Sequence, residues 1–536
     1  MEVAHKMHFI FAVISQFRII YGHRHGNSKP RQIRSAVDSE FRYSCENLCG
    51  SPAPKINTSD IWASTCSCEK DCSISGSSHD TDKTCCPDYF IECENKKSWL
   101  ETDCEPIDSS KCSSTKKPVI LISLDGFRVS YLERIQSKSL NKLRKCGVKV
   151  PFQRSSYPTV TFPNHFTIAT GHYPESHGII DNSFNDLELN DYYNAFDFDH
   201  AVDEKWYQAE PIWNTVTRQN KISAAYMWPS SDLPVQGKYP SYVYNFSTVP
   251  SYQDRIVKVL EWIDLGEEKM PDFMAIYMDE PDHTGHDEGP DSNTFLRGAI
   301  EVVDNSISML MEGLIMRGME NCVDLVVVAD HGMSSNSKGR RSFINEYFDE
   351  DSDGSENTKY CNNEAYCSTG CNARIGPNIN QKDFNFEKAW NQLKCSRQDP
   401  FNPAHWKTYK TGKDLPKRLH YHANSRIDPI VMSMDDSWYS QKNQEDYYTL
   451  LGNHGYDNLY ESMRALFVGY GPSFKENFET EYVHQNIELY HMFCHLVGVE
   501  PSSNNGTVGS LNHILQKTRK FWSNVKKSAF VFNIFF

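Results

Sequence analysis

Residues 119–128 read VILISLDGFR, and this short stretch decides how the rest of the chain is read. Val119–Leu124 is an apolar run of six residues, broken only by Ser123, and it ends on an acid, Asp125. Two further stretches share that design: FMAIYMDEPDHTGH at 273–286 and VDLVVVADHGM at 323–333. Runs of four to eight apolar residues without alternation are expected of strands buried on both faces, which means a parallel sheet covered by helices. Between the last two runs, Phe295, Leu296, Ala299, Ile300, Val303, Ile307, Leu310, Met311 and Leu314 recur at helical spacing and predict one long amphipathic helix packed on the sheet. Pro271 and Gly318 punctuate this region. The expected fold class is α/β with a doubly wound sheet, whose ligands bind beyond the carboxyl ends of the strands. All three runs deliver acids to that edge: Asp125, then Asp279, Glu280 and Asp282, then Asp330. Core packing alone gives no reason for this.

The whole chain has 536 residues, a net charge of −15 and 39% hydrophobic residues. That length corresponds to about three to four average domains, and one large α/β domain can absorb most of it. The composition excludes wholesale disorder, collagen and coiled coil. An acidic balance argues against nucleic-acid binding through a general basic surface, so no sequence-specific nucleic-acid partner is expected. No apolar run approaches the ~20 residues of a membrane-spanning helix.

Residues 1–22 (MEVAHKMHFIFAVISQFRIIYG) hold an apolar stretch from Met7 to Phe17 behind His5 and Lys6, interrupted by Arg18, and read as an imperfect secretory signal. Residues 23–42 are polar and basic and read as a flexible arm. Eight of the 17 cysteines then crowd between Cys45 and Cys93, in a segment too small and polar to fold on an apolar core. The adjacent Cys85-Cys86 and the absence of paired zinc knuckles favour four disulfides, of which 105 pairings are possible. The order C-x₃-C, C-x-C-x₃-C, CC-x₆-C across residues 43–95 resembles a somatomedin-B-like domain, which implies a protein-binding role. Sequons at Asn57, Asn245 and Asn505 fit the same secreted or extracellular setting, free or attached to the cell surface. Residues 96–116 read as a linker, 117–515 as the large α/β domain and 516–536 as a tail. The tail's closing SAFVFNIFF is too short to span a bilayer. The acidic loop DEDSDGSEN at 349–357 reads as solvated surface.

Carboxylates converging in a cleft repel one another unless cations offset them. Histidines accompany these acids in Asp282-His283-Thr284-Gly285-His286, Asp330-His331-Gly332 and Asn453-His454-Gly455. A mixed Asp/His set without thiolates suits catalytic zinc, with Mn²⁺ next and Mg²⁺ behind because it avoids imidazole. Three aspartates against two dications leave a site of about +1, which welcomes a phosphate.

The stretches PVILISLDGFR, YPTVTFPNHFTIATGHYPESHGIIDN, AEPIW, EPDHTGH, VVADHGM, GNHGYDN and NNGTVGSLNHIL together resemble the catalytic domain of the nucleotide pyrophosphatase/phosphodiesterase family, in the alkaline phosphatase superfamily. The resemblance runs from Lys117 to about Leu515. It implies that Asp125, Thr161, Asp330 and His331 hold one Zn²⁺ while Asp282, His286 and His454 hold the other. It makes Thr161 the nucleophile and Asn182 the donor to a phosphoryl oxygen. The implied activity is hydrolysis of phosphodiester and phosphoanhydride bonds, such as ATP to AMP and pyrophosphate, through a phosphothreonine. Monoesterases of the superfamily set an arginine against the extra anionic oxygens, and no residue here is assigned that task.

By the same resemblance Trp228, Asp232 and the segment through Tyr244 wall a base pocket, Phe162 and Tyr244 sandwich the base, and Tyr277 lines the sugar side. Stacking of that kind tolerates any base. The alternative substrate is a choline lysophospholipid; the alternative role is an inactive adhesive protein acting through residues 43–95. Departures from the family pattern are Val160 where relatives often carry lysine, a single somatomedin-B-like segment, and no nuclease-like domain after the catalytic one. The family implies bridges Cys104–Cys146 and Cys112–Cys322. Cys361, Cys367, Cys371 and Cys395 look like local replacements for another bridge, leaving Cys494 as the expected free thiol.

Overall fold

The run Val119–Leu124 forms strand β1, and its alternate residues separate onto two faces as a strand's period of two requires. Thr161–Thr170 forms helix α1, Tyr252–Asp264 helix α2, Phe273–Met278 strand β2, Asp282–Glu288 helix α3, Phe295–Met316 helix α4, Asp324–Val328 strand β3 and Asn372–Gly376 strand β4. β3 is one residue shorter at each end than its apolar run. The structure is a computed structural model that describes residues 85–517, apart from 249, 349–359, 380–382, 400 and 447–449, together with positions 45, 49–50, 66–68 and 72. The described residues belong to one unit of the fold, 43–536. The signal and arm readings, Asn57, the acidic loop and the end of the tail lie outside the described residues.

β1 lies between β2 and β3 and is parallel to both, with Leu121 opposite Ala275 on one side and Val326 on the other. The eight-stranded sheet runs Phe478–Glu479, Val148–Lys149, Phe467–Tyr470, β3, β1, β2, Ser223–Tyr226, Tyr242–Tyr244. Ile120, Ile122 and Leu124, with Met274, Ile276, Leu325 and Val327, share a core with Ile256 and Leu260 of α2 and Ile300, Ile307 and Leu310 of α4. Val119, Leu121, Phe273, Ala275, Val326 and Val328 face the other way, onto Ile168 of α1, Trp213 and Phe493. Helices cover both faces, as the unbroken apolar runs imply. A capping box between Ser251 and Asp254 starts α2. α4 meets α2 at Gly313, where a Cβ would come within 2.4 Å of Leu260 Cδ1.

A second, four-stranded antiparallel sheet (Tyr366–Ser368, β4, Ile430–Met434, Trp406–Lys410) has its own core, built on Ile375, Trp406, Met432 and Tyr456. The cysteine-rich segment pairs Cys45–Cys68, Cys49–Cys93, Cys66–Cys86 and Cys72–Cys85, and packs with Tyr89 against Val257 of α2 and Met316 of α4. Residues 96–116 are strapped down. Glu312 of α4 accepts from the Ser98 hydroxyl at 2.8 Å and the Trp99 N–H at 2.6 Å, and bridges Cys104–Cys146 and Cys112–Cys322 fix the segment to the sheet domain. Cysteine usage differs from expectation at two positions. Cys361 pairs with Cys367 across a separation of six residues, which leaves Cys371 and Cys395 as free thiols beside Cys494. Cys371 is buried and Cys395 exposed, so the two thiols sit in different environments.

Asp324, at the start of β3, is buried, with Oδ1 accepting the Ser473 N–H at 2.9 Å and Oδ2 without a partner. Burial lifts its pKa to about 6, the two hydrogen bonds from Ser473 offsetting only part. Since the folded value lies above the unfolded one, the carboxyl costs nothing below pH ~4 and its full penalty, about 3 kcal/mol, above the folded pKa. The stability of Asp324→Asn relative to wild type therefore rises by about 2–3 kcal/mol between pH ~4 and pH ~7. Denaturant melts at the two pH values measure it, and a difference that does not change with pH contradicts the account.

Candidate active site

The carboxyl ends of β1, β2 and β3 open on one cleft, and each strand contributes one aspartate whose two oxygens have different fates. Asp125 Oδ2 accepts the Tyr277 hydroxyl at 2.6 Å, while Oδ1 is buried without a partner. Asp330 Oδ1 accepts the N–H groups of Gly126 (3.1 Å) and His331 (2.9 Å), while Oδ2 is left bare. Asp282, at the start of α3, leaves its buried Oδ1 bare as well. Gly126 is required here. Its φ is +64°, and a Cβ would lie 2.7 Å from Asp282 Oδ1.

The histidines are held by one common device. Nδ1 of His331, His286 and His454 donates to the carbonyls of Gly332, Gly452 and Thr159, each at 2.9 Å. That hydrogen bond orients each ring and leaves the Nε2 lone pair for the cleft. His331 Nε2 lies 3.0 Å from Asp330 Oδ2, 3.4 Å from Asp125 Oδ1 and 3.2 Å from the Thr161 hydroxyl. In the adjoining set, His286 Nε2 lies 3.1 Å from His454 Nε2 and 3.3 Å from Asp282 Oδ2, and His454 Nε2 lies 3.5 Å from Asp282 Oδ1. The rings of His331 and His454 stack at 3.6 Å, so the two sets touch. Donor atoms of a tetrahedral zinc with 2.0–2.1 Å bonds stand about 3.3–3.4 Å apart, and both sets match that spacing. Three unpartnered carboxylate oxygens and three imidazole Nε2 atoms facing inward fit divalent metal. Asp125, Asp330 and His331 form one group able to hold an ion; Asp282, His331 and His454 form another.

Electrostatics record the crowding. Burial, then Asp330 and Asp282, pushes the Asp125 carboxyl well up. Burial also acts on Asp330, but His331 and His165 outweigh it and bring the carboxyl to about 2. Burial would lower His286, yet Asp282 raises it to about 9. His454 falls to about 3 through burial and the charge of His331.

Thr161 is the first residue of α1, and Asn182 reaches the same helix end, its Oδ1 accepting the Phe162 N–H at 3.1 Å. The amide oxygen is thus engaged and the NH₂ edge remains to donate. Of the residues expected in a base pocket, half-buried Phe162 meets the edge of Phe196 at 6.1 Å. Tyr244 stacks on Tyr226 at 5.0 Å, and Asp232 is half-buried, its carboxyl raised by burial. Two expectations shift. Trp228 is 1% exposed, its indole N–H aimed at the His165 carbonyl, so it backs the site rather than facing a ligand. Tyr277 is buried in β2 and donates its hydroxyl to Asp125, so it orients a carboxylate. Asn245 and Asn505 are exposed, and Asn505 Oδ1 accepts the Tyr173 N–H.

His165 was missed by the sequence reading. It sits one helical turn after Thr161, its Nε2 2.9 Å from Ser123 Oγ and its Nδ1 2.9 Å from the Thr161 carbonyl and 3.4 Å from Asp330 Oδ2. The signal was available, since positions i and i+4 share a helix face.

Residues 119–457 match the family model described as type I phosphodiesterase / nucleotide pyrophosphatase. The chain belongs to that family. It is 39% identical to venom phosphodiesterase 2 of Crotalus adamanteus, over 84% of this chain and 53% of the relative. Ectonucleotide pyrophosphatase/phosphodiesterase family member 3 of Rattus norvegicus is also 39% identical, over 79% of this chain and 47% of that protein. A venom phosphodiesterase of Macrovipera lebetinus is 40% identical over 79% and 48%. The chain spans about half the length of the curated relatives it matches. This phosphodiesterase-family chain has no described helix long and apolar enough to cross a membrane.

With His286 held protonated up to about pH 9, a metal at its Nε2 must displace a proton at neutral pH. Affinity of the metal-free protein for Zn²⁺ therefore rises with pH between about 6.5 and 8.5, and binding releases protons. Competition with a fluorescent chelator across that range measures the slope; pH-independent affinity contradicts it.

Proposed function

We propose that the protein is an extracellular phosphodiesterase that binds two Zn²⁺ and cleaves nucleotide phosphodiester and phosphoanhydride bonds through a phosphothreonine at Thr161. The observation that carries this reading is the placement of the Thr161 hydroxyl 3.2 Å from His331 Nε2, beside the bare oxygens of Asp125 and Asp330. One ion would be held by Asp125, Thr161, Asp330 and His331, and the other by Asp282, His286 and His454. When bound, the ions make the Thr161 hydroxyl more acidic and offset the charge of the departing oxygen.

The residues of the chain supply the rest. Thr161 Oγ bonds to phosphorus as the bond to the departing oxygen breaks on the opposite side. Water then attacks the same phosphorus, the bond from phosphorus to Thr161 Oγ breaks, the nucleoside monophosphate leaves, and a proton from the water restores the Thr161 hydroxyl. The Asn182 NH₂ donates to a non-bridging oxygen as charge builds there, and the N-terminus of α1 turns the favourable end of its dipole toward the phosphate. Phe162 and Tyr244 offer ring faces for a base. The names of the relatives, phosphodiesterases and a nucleotide pyrophosphatase, support nucleotides over lipids as substrates. A venom enzyme and an ectoenzyme among them support an extracellular setting, as do seven disulfides among the described residues. The cysteine-rich segment 43–95 is proposed to bind a protein partner.

Thr161→Ala abolishes release of nucleoside monophosphate from a nitrophenyl nucleotide ester, and Thr161→Ser retains part of it. Asn182→Ala lowers kcat by about 10²–10³. Chelation removes activity and Zn²⁺ restores it. Full activity in Thr161→Ala, or in protein stripped of metal, rejects the mechanism.

A further inference from the structure

We propose that Arg374 is a positioning residue that sets the angle of the Asn182 amide, an inference that rests on Asn182 being the donor described above. Arg374 stands on β4 in the second sheet, about 190 positions from Asn182 in sequence, and is fully buried. Its guanidinium grips the loop on both sides of Asn182. Nη2 donates to the Ser183 carbonyl at 2.9 Å and lies 3.2 Å from Asp181 Oδ2. Nη1 donates to the Tyr421 hydroxyl at 3.0 Å, which donates onward to the Ile180 carbonyl at 3.1 Å. Asp181 Oδ1 in turn accepts the Asn182 N–H at 2.7 Å. Residues 180, 181 and 183 are therefore tied to one planar group, while Asn182 itself is held by the Ala195 N–H on its carbonyl and the Phe162 N–H on its Oδ1. A planar fork makes several bonds at fixed angles, which a lysine ammonium cannot reproduce. Being sealed from the cleft, Arg374 cannot touch substrate; it acts through the loop. A misplaced donor loses its advantage in the transition state first, so the effect falls on kcat rather than KM.

The test is a double-mutant cycle on the metal-loaded full chain with a nitrophenyl nucleotide ester, using Arg374→Gln, Asn182→Ala and the pair. The expected result is a kcat lowered roughly ten- to a hundredfold by Arg374→Gln with KM little changed, and no further loss when it is added to Asn182→Ala. Asp181→Asn, which removes the anchoring charge without changing shape, carries the same cycle if Arg374→Gln does not fold. Losses that multiply in full, or wild-type kcat in both Arg374→Gln and Asp181→Asn, overturn the positioning role and leave the reading of Asn182 standing. Wild-type kcat in Asn182→Ala overturns both.

Discussion

Asp125, Asp282 and Asp330 each carry an oxygen that is buried, bare and turned toward the same small volume. Without compensation such an arrangement is unstable, because each carboxylate loses its hydration and gains only like charges. Protonation offers partial relief, visible in the raised pKa of Asp125, but the pKa values of Asp330 and Asp282 are held down by neighbouring imidazoles. Divalent metal would satisfy all three at once. Much of the surrounding architecture holds that demand in place: the carbonyls that pin each Nδ1, the Tyr277 hydroxyl on Asp125, and the two backbone N–H groups on Asp330. Each fixes the idle side of a ligand so that the active side has one direction to face.

A parallel sheet is what brings these groups together cheaply in sequence. Neighbouring strands β2, β1 and β3 all end at the same edge, so one acid just beyond each strand converges without any long-range loop having to fold precisely. Gly126 lets the first of these turns approach Asp282 closely. The second sheet works differently. It places Asn372 where its Oδ1 accepts the Tyr157 hydroxyl at 2.5 Å, ahead of the nucleophile, and Arg374 behind Asn182. Two residues apart on β4, they brace both segments that frame Thr161.

How much of this was legible in sequence follows from the range of each interaction. The apolar runs of β1, β2 and β3 and their terminal acids were readable because burial on both faces leaves a continuous local pattern. The helical repeat of α4 was readable for the same reason. The candidate ligands could be named by motif, since Asp-His-Gly and Asn-His-Gly keep each histidine beside the backbone that orients its neighbours. Partners that meet only in space were not legible. Nothing near Tyr277 announces Asp125, and nothing near Arg374 announces Asp181. Trp228 was expected in a pocket wall by resemblance alone, yet its exposure depends on His165 and the sheet beneath. Bridges Cys104–Cys146 and Cys112–Cys322 and the free Cys494 are as expected, but the Cys361–Cys367 pairing was not legible, because it closes a short loop that no count of odd and even thiols reveals.

The environment of Arg374 also bears on the diester substrate of the proposed function. A phosphate monoester bound at Thr161 would present anionic oxygens that need a cation opposite the metal ligands. Arg374 is close in the fold to Asn182, but its charge is spent on Asp181 at 3.2 Å and faces Asp428 at 3.7 Å, and no part of it is exposed. What the loop offers instead is the neutral amide of Asn182, which can donate to an oxygen but cannot offset a second full charge. A diester carries one charge at phosphorus and puts an organic group where the monoester would put another anionic oxygen. With Phe162 next to Thr161 in sequence and the Phe196 ring 6.1 Å from Phe162, that group would meet ring edges and faces. Under the proposed function, neutral donor and apolar wall would therefore select in the same direction.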